Sequence, residues 1–522
     1  MPNKCALLIL DGLAITPEKN GNAILSAKTP NICELFSSYP KTLLKASGQE
    51  AGLPFGEVGN SEVGHTNIGL GRIVLQDLPQ IDKSFKENKI REKTAIVEAR
   101  NAIQSNTSNL HIIGLFSDGG VHSHINHILG LVDLFKDTPN LPKIFLHLIS
   151  DGRDAPEKSI EKFVKNLEKI LSDKICVGSL SGRYFAMDRD KNWDRIQKAY
   201  LAILGQGELK SVDVNDAIKS AYERSETDEY FSPTAIGEFS VDLKKDVFIF
   251  ANYRSDRAIQ LTRAFSDTVF SDFKRQNPAA NFFMMTTYDD NLKAKPIFSN
   301  LDLNDKNSNP LTNPVAKIIS EAGLTQYHIA ETEKYAHVTY FFAGGEKEPF
   351  SGQQNKLYPS AKVKSHDLYP QMRAAEITKD LIANLSKNYN FIVANFANGD
   401  MVGHSGNFEA AVKTVEILDY CLGKLIPALI QTQYSIYLTA DHGNCDQMIN
   451  LENGKIDKEH SLNPVPFIKI TPENKGRYIS LNELAGTQPI GVLADIMACV
   501  LSELGIKPPE EMTGMDISQS LT

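Results

Sequence analysis

The chain has neither an excess of positive charge nor a long apolar run. Its 522 residues carry a formal net charge of −9, whereas a nucleic-acid-binding protein usually presents a basic face. No segment approaches the roughly 20 consecutive apolar residues of a membrane span. The apolar run that ends at Leu10, directly before Asp11, is too short for the core of a secretory signal. We therefore expect neither nucleic acid nor membrane among the partners.

Cysteine is also scarce, with six residues and no Cys-x-x-Cys pair. In so long a chain this pattern favours a reducing compartment over a disulfide framework, and we expect a cytoplasmic protein. Hydrophobic residues make up 42% and charged residues 23%, which is typical of globular chains. The length predicts two or more domains.

Short apolar runs rich in β-branched residues recur along the chain. Each is followed by a glycine-rich or charged loop, and amphipathic stretches of helical period lie between them. This alternation predicts an α/β architecture with largely parallel sheets, in which ligands bind at the carboxyl ends of the strands. The clearest runs are His111–Phe116, Ile144–Ile149, Val247–Phe250, Phe391–Ala394 and Ser435–Ala440.

Two segments have the composition of linkers, Leu75–Pro79 and the polar tract Ser299–Pro310. If the polar residues near the two chain ends form one site, the middle of the chain is an insertion. We therefore predict a discontinuous domain of residues 1–75 and 310–522, with a second domain of residues 76–309 inserted into it. Three consecutive domains are the alternative, and they would leave Asp11 far from its proposed partners.

Residues of metal-ligand type lie near both ends of the chain, after strand-like runs or beside glycine turns. Aspartate and histidine together suit Mn²⁺, Zn²⁺ or Co²⁺, and the carboxylates also admit Mg²⁺. Ser61, between Gly59 and Gly64, adds a possible nucleophile. Taken singly, each motif could be a turn, a helix cap or a loop histidine. Together they predict metal-assisted phosphoryl or sulfuryl transfer. The candidate ligands are Asp11, Asp400, His404, Asp441, His442 and His460.

Five arginines follow apolar runs in the middle segment, namely Arg153, Arg183, Arg189, Arg254 and Arg257. Guanidinium groups bind carboxylate and phosphate through paired hydrogen bonds, so this set suits a small, multiply charged acid. His122 is a possible further donor, and Asp154 a possible general base or acid toward a hydroxyl group. The alternative is a set of surface ion pairs that contribute little.

These motifs together resemble one family, the cofactor-independent phosphoglycerate mutases of the alkaline phosphatase superfamily. The resemblance extends over nearly the whole chain and keeps the motif order. The motifs are Leu10–Gly12, Gly59–His65, Ser117–His124, Asp151–Asp154, Gly182–Asp190, Ala330–Tyr335, Asp400–His404, Thr439–Asn444 and Asn463–Phe467.

The resemblance implies an alkaline-phosphatase-like metal domain, split in sequence, with a second α/β domain inserted as a lid. It implies two bound divalent ions, with Mn²⁺ preferred and Mg²⁺, Zn²⁺ or Co²⁺ possible. It also implies that 2,3-bisphosphoglycerate is not a cofactor. Ser61 would be the phosphorylated nucleophile, and Lys334 would neutralise charge on the moving phosphoryl group. One ion would be held by Asp400, His404 and His460, and the other by Asp11, Asp441, His442 and Ser61. Arg254 and Arg257 would grip the phosphate, and His122, Arg153, Asp154, Arg183 and Arg189 the glycerate.

The implied reaction interconverts 3-phosphoglycerate and 2-phosphoglycerate. A monomer would suffice for it, because the site is complete within one chain. The nearest alternative is a metal-dependent phosphatase or phosphopentomutase of the same superfamily. An alternative from another class is a non-catalytic, metal-stabilised protein that senses phosphorylated acids, although such a sensor does not need Ser61.

Overall fold

The computed structural model describes residues 3–299, 311–451 and 453–521. The chain folds as two units, Met1–Pro79 with Asn309–Thr522, and Gln80–Ser308. The predicted linker at residues 299–310 lies outside the described residues except for Ser299. The other predicted linker is wrong in part, because its last three residues begin the helix Asp77–Lys86. Proline is tolerated in the first turn of a helix, and Leu78 and Ile81 bury the apolar side of this one.

Strands of the first unit are β1 (Lys4–Leu10), β2 (Lys41–Lys45), β11 (Gln326–Glu331), β12 (Gln353–Tyr358), β13 (Phe391–Phe396), β14 (Tyr434–Thr439), β15 (Val465–Ile470) and β16 (Gly491–Val492). Strands of the second unit are β3 (Leu110–Leu115), β4 (Ile144–Ser150), β5 (Ile175–Gly182), β6 (Leu209–Ser211), β7 (Thr234–Ile236), β8 (Val247–Phe250), β9 (Asn281–Thr286) and β10 (Lys295–Phe298).

Helices lie between these strands. Those of the first unit are Ala23–Ser26, Pro30–Ser38, Ser61–Leu70, Val315–Glu321, Thr332–Ala336, Ala374–Asn384, Asn398–Gly403, Phe408–Gln431, Leu481–Leu484 and Asp495–Leu504, with a π-helical turn at His337–Phe341. Those of the second unit are Thr94–Asn106, Ile125–Phe135, Ile160–Leu167, Arg183–Ala186, Trp193–Ile203, Val214–Glu223 and Ile259–Ser266.

In the described part of the first unit, the strands form one sheet in the order β12-β11-β13-β1-β14-β15-β2-β16. β11, β13, β1 and β14 are neighbours and run parallel. The β14–β15 and β15–β2 pairs are antiparallel. Six consecutive residues of β1, Cys5–Leu10, are buried, as expected for a parallel strand covered on both faces. The carboxyl ends of the four parallel strands therefore lie side by side.

The described strands of the second unit form a sheet in the order β10-β9-β8-β3-β4-β5-β7-β6. β8, β3, β4 and β5 are parallel neighbours, and the β5–β7 pair is antiparallel. The predicted α/β architecture with largely parallel sheets is confirmed for both units. As in the first unit, the loops after neighbouring parallel strands open at one edge of the sheet.

Among the described residues, none of the helices combines the length and the apolar character that crossing a membrane requires.

Candidate active site

Four parallel strands of the first unit bring charged side chains to one edge of the sheet. Asp11 directly follows β1, and Asp441 lies two residues beyond the end of β14. Asp400 lies in the short helix after β13, and Lys334 in the short helix after β11. All four side chains are buried. Their convergence follows from the sheet order, since carboxyl ends of parallel neighbours share an edge.

Gly12 makes the approach of two of these segments possible. Its φ is +78°, and a Cβ atom there would lie 2.5 Å from the backbone nitrogen of Asp400. That nitrogen donates a hydrogen bond to the carbonyl oxygen of Asp11 at 3.0 Å. Any side chain at position 12 would separate the two aspartates, so the glycine of the Asp-Gly motif is required for more than a turn.

Ser61 is the first residue of the helix Ser61–Leu70, and the Asn60 side chain caps this helix by accepting from the Val63 N–H. The Ser61 Oγ lies 2.5 Å from the Lys334 Nζ and 2.8 Å from the His442 Nε2. The serine is 6% exposed. A helix N-terminus and an ammonium group both favour negative charge on this oxygen or on a group attached to it.

The six proposed metal ligands form two adjoining sets. In the first, the Asp400 Oδ1 lies 3.2 Å from the His404 Nε2 and 3.0 Å from the His460 Nε2. In the second, the His442 Nε2 lies 3.6 Å from the Asp11 Oδ1 and 3.4 Å from the Asp441 Oδ2. The rings of His442 and His460 stack with centroids 3.8 Å apart, which places the two sets side by side.

The tautomers of two histidines fit a metal site. The Nδ1 of His404 donates to the carbonyl oxygen of Lys458 at 2.6 Å, and the Nδ1 of His460 donates to that of Gly59 at 2.7 Å. Metal-binding histidines are usually fixed in this way, which leaves Nε2 for the ion. Among the described residues, neither oxygen of the buried Asp441 accepts a well-formed hydrogen bond, although the His65 Nδ1 and the His442 Nε2 lie 3.3 and 3.4 Å from its Oδ2. A buried carboxylate without a good hydrogen bond is costly, so this donor set fits divalent cations.

Three carboxylates and one ammonium group set the electrostatics of the site. Lys334 Nζ lies 2.7 Å from Asp11 and 2.7 Å from Asp400. Burial alone would lower the pKa of Lys334, but Asp11, Asp400 and Asp441 raise it, so the lysine stays charged. Burial and the neighbouring Asp441 raise the pKa of Asp11 despite Lys334. The three acidic side chains outnumber the one ammonium group, and bound cations would reduce the repulsion among them.

We predict that metal affinity falls as the pH is lowered. The hydrogen bond to Asp400 raises the pKa of His404. Burial would lower the pKa of His460, but Asp400 raises it above its usual value. A proton on either Nε2 competes with the ion, so affinity is fully developed above these raised pKa values and is lost as pH falls through them. Each histidine contributes a loss of roughly tenfold per pH unit well below its pKa.

The measurement is a titration of the metal-free protein with Mn²⁺ at several pH values between 5 and 8, which gives the dissociation constant at each pH. Catalytic activity is recorded over the same pH range at a fixed Mn²⁺ concentration. An affinity and an activity that stay flat down to pH 5 would contradict this prediction.

The second unit brings together the predicted residues that follow β3, β4 and β5. The Arg183 guanidinium donates to Asp151 at 2.6 Å and to Asp154 at 2.5 Å. The His122 Nε2 lies 3.9 Å from the Asp154 Oδ2. Burial, together with the charges of Arg183 and Arg254, lowers the pKa of His122 to about 4, so its ring is neutral at physiological pH. Asp154 therefore lies between a cation and a neutral imidazole.

The remaining predicted arginines lie on loops of the same unit and are held by other groups. Arg189 and Arg254 both contact Asp256, at 2.9 and 3.2 Å. Arg153 lies 3.6 Å from Glu229, and the guanidinium of Arg257 donates to the Met187 carbonyl oxygen. About half of the Arg189 and Arg254 side-chain surface stays exposed, which leaves donors free for an anion.

Sequence reasoning assigned no role to several residues at the two sites. Asp151 begins the Asp151–Asp154 motif and Asp256 lies between Arg254 and Arg257, and their carboxylates contact arginines of the second unit. His65 closes the motif that contains Ser61, four residues farther on, a spacing that places both on one side of a helix. Asn395 lies within β13 and contacts Asp11, and no local sequence signal distinguishes it from a buried strand residue.

Comparison with known proteins gives a consistent picture. Residues 81–290 match a family model described as BPG-independent PGAM N-terminus. A 2,3-bisphosphoglycerate-independent phosphoglycerate mutase of Clostridium acetobutylicum is 44% identical over 520 residues, 98% of each chain. One of Clostridium perfringens is 43% identical over 97% of this chain and 98% of its own. A crystal structure of Leishmania mexicana phosphoglycerate mutase at low cobalt concentration aligns with a TM-score of 0.58 at 30% identity, over 99% of this chain and 97% of its own.

Proposed function

This chain belongs to the family of 2,3-bisphosphoglycerate-independent phosphoglycerate mutases, and we propose that it interconverts 3-phosphoglycerate and 2-phosphoglycerate through a phosphorylated Ser61. It is thus an isomerase that moves a phosphoryl group. Identity of 44% over 98% of the chain supports the reaction. The observation that supports the route is the Ser61 oxygen, buried at a helix N-terminus between Lys334 and His442.

Ser61 is suited to attack phosphorus. Its hydroxyl group loses its proton more readily because a lysine that stays charged lies 2.5 Å away. Lys334 also faces Asp11 and Asp400. The same ammonium group can stabilise negative charge first on the serine oxygen and then on the phosphoryl oxygens. Afterwards the helix N-terminus stabilises the phosphoserine.

Divalent cations would be held by the same groups. We propose two of them, one on Asp400, His404 and His460, the other on Asp11, Ser61, Asp441 and His442, with Mn²⁺ the preferred ion. When bound, they would supply electrostatic stabilisation of the phosphoryl oxygens and a lowered pKa of the serine hydroxyl. Carboxylate oxygen and imidazole nitrogen are the ligands that Mn²⁺, Zn²⁺ and Co²⁺ accept.

The second unit would hold the glycerate part. Arg254 and Arg257 would bind the phosphate of the incoming substrate, and His122, Arg153, Asp154, Arg183 and Arg189 the carboxylate and hydroxyl groups. Isomerisation requires that glycerate stays bound after losing its phosphoryl group and turns to present its other hydroxyl. Asp154 would take the proton of that hydroxyl as it attacks phosphoserine, since Arg183 holds the carboxylate ready.

We propose that the chain works as a monomer in the cytoplasm. Each group of proposed ligands is supplied by a single chain, and the six cysteines are free, as in proteins of reducing compartments. Residues 1–75 and 310–522 would form the metal domain, and residues 76–309 the substrate domain.

The test is an assay of 3-phosphoglycerate with the metal-loaded protein and no 2,3-bisphosphoglycerate, followed by ³¹P NMR. We expect 2-phosphoglycerate to form up to an equilibrium mixture, with little inorganic phosphate. Release of inorganic phosphate without isomerisation would instead indicate a phosphatase. Absence of any reaction would return the chain to the class of binding proteins.

A further inference from the structure

Two fully buried residues that have no proposed role, His65 and Asn395, lie against the aspartates of one proposed metal position. The Asn395 Nδ2 donates to the Asp11 Oδ2 at 2.7 Å, and it lies 3.0 Å from the His65 Nε2. The His65 Nδ1 lies 2.9 Å from the Ser61 carbonyl oxygen and 3.3 Å from the Asp441 Oδ2. These contacts join the nucleophile's backbone to both carboxylates.

The partners fix the orientation of the amide and the tautomer of the ring. A carboxylate only accepts, so the Asn395 atom that faces Asp11 is the amide nitrogen. The same nitrogen makes the His65 Nε2 an acceptor. The His65 Nδ1 then carries the proton and donates to the Ser61 carbonyl oxygen, with the Asp441 carboxylate beside it.

This tautomer decides between two roles for His65. Ligand atoms of Asp11, His65 and Asp441 all lie within 4.8 Å of one another, which by itself suits three ligands of one ion. However, the His65 Nε2 already accepts from an amide and its Nδ1 already donates, so neither nitrogen offers a lone pair to a cation. His65 is therefore placed to hold the ligands rather than to be one.

We propose that His65 and Asn395 are positioning residues for the divalent cation that Asp11 and Asp441 would share with Ser61 and His442. The Asn395 amide holds the Asp11 carboxylate by a hydrogen bond, and the His65 Nδ1–H, bonded to the Ser61 carbonyl oxygen, also faces the Asp441 carboxylate at 3.3 Å. The inference rests on the metal site of the proposed function. Two like charges in a buried site repel each other, and the two carboxylates would turn apart without the N–H groups of Asn395 and His65 that face them. His65 comes from the helix of Ser61 and Asn395 from β13, so the pair also sets the distance between nucleophile and ligands. Loss of such outer partners typically weakens metal binding by about 10- to 100-fold.

The experiment measures Mn²⁺ binding, by electron paramagnetic resonance of the free ion, to metal-free wild-type protein and to His65→Ala, His65→Asn and Asn395→Ala. We expect His65→Ala and Asn395→Ala to bind one of two ions about 10- to 100-fold more weakly. His65→Asn should recover most of the affinity, because its amide nitrogen can take the place of the ring Nδ1. The matched control is His328→Ala, which removes another buried histidine of this unit, bonded to the Val338 carbonyl oxygen, and should leave both affinities unchanged.

The outcomes separate the alternatives. Folded His65→Ala with wild-type affinity would overturn the proposal. So would complete loss of one ion in both His65→Ala and His65→Asn, since that indicates a direct ligand. If the alanine variants do not fold, the Mn²⁺ affinities of His65→Asn and His65→Gln are compared instead. The asparagine variant, which keeps a donor at the Nδ1 position, should bind Mn²⁺ more tightly than the glutamine variant. If both variants bind Mn²⁺ as tightly as wild type, the positioning role is overturned. A wild-type protein that binds no Mn²⁺ would instead contradict the proposed function itself.

Discussion

Replacing Ser61 with alanine is expected to reduce the interconversion of the two phosphoglycerates by about 10⁴-fold or more, since loss of a nucleophile removes the covalent route altogether. The fold should survive. Ser61 contributes a small hydroxyl group, and Lys334 keeps its two carboxylate partners at 2.7 Å. Incubation with substrate should add the mass of one phosphoryl group to the wild-type protein and none to the variant.

The matched control is Ser480→Ala, which removes a hydroxyl group from the cap of the helix Leu481–Leu484 in the same unit. Loss of this cap should cost about 1 kcal/mol of stability and leave turnover unchanged. Substantial mutase activity in Ser61→Ala, with circular dichroism showing a folded protein, would rule out the phosphoserine route.

Stripping divalent metal is expected to abolish turnover, and adding back Mn²⁺ should restore it without 2,3-bisphosphoglycerate. Three buried carboxylates converge on this site, and Lys334 is the cation among them. Bound cations would relieve their repulsion in the folded state only. At free metal 100 times the dissociation constant, each site should add about 2.7 kcal/mol to the free energy of unfolding, seen as a rise in the melting temperature.

Two aspartate variants sharpen this measurement. Asp400→Asn removes a proposed ligand, so we expect a strongly reduced metal-dependent rise in melting temperature. The control, Asp419→Asn, also alters a buried aspartate, but one whose carboxylate accepts a hydrogen bond from the backbone N–H of Ile32. It should lower the melting temperature without metal but keep the full metal-dependent rise. Wild-type turnover in protein proven free of metal would contradict a metal-dependent mechanism.

Much of the site was accessible from sequence because strand ends are marked locally. An apolar run followed by Asp11-Gly12 predicts a buried strand and a turn, and parallel sheets gather such ends at one edge. The arginines of the second unit follow apolar runs in the same way. For these residues the period of hydrophobicity and the residue types that follow it are sufficient to indicate a site.

Other features have no local signal. Asp77–Pro79 has the composition of a linker, yet it begins a helix whose side chains Leu78 and Ile81 are buried. Their burial depends on how distant parts of the chain pack, which the local sequence does not indicate. Asn395 lies within a buried strand, where an isolated amide has no distinguishing pattern. The partners of the arginines, such as Asp256, depend on which loops end near one another.

The sequence by itself determined the α/β class, the strands, and the types of residue in the loops that follow the strands. These features depend on the local sequence, over a few residues. It also determined family membership, through motifs kept in order along the chain. Only the tertiary structure decided which oxygen and nitrogen atoms face one another. Lys334 reaches both Asp11 and Asp400 because β11, β13 and β1 are adjacent in the sheet, although the three residues lie far apart in sequence. The tautomers of His65 and His460 likewise depend on acceptors that only packing brings within hydrogen-bonding distance.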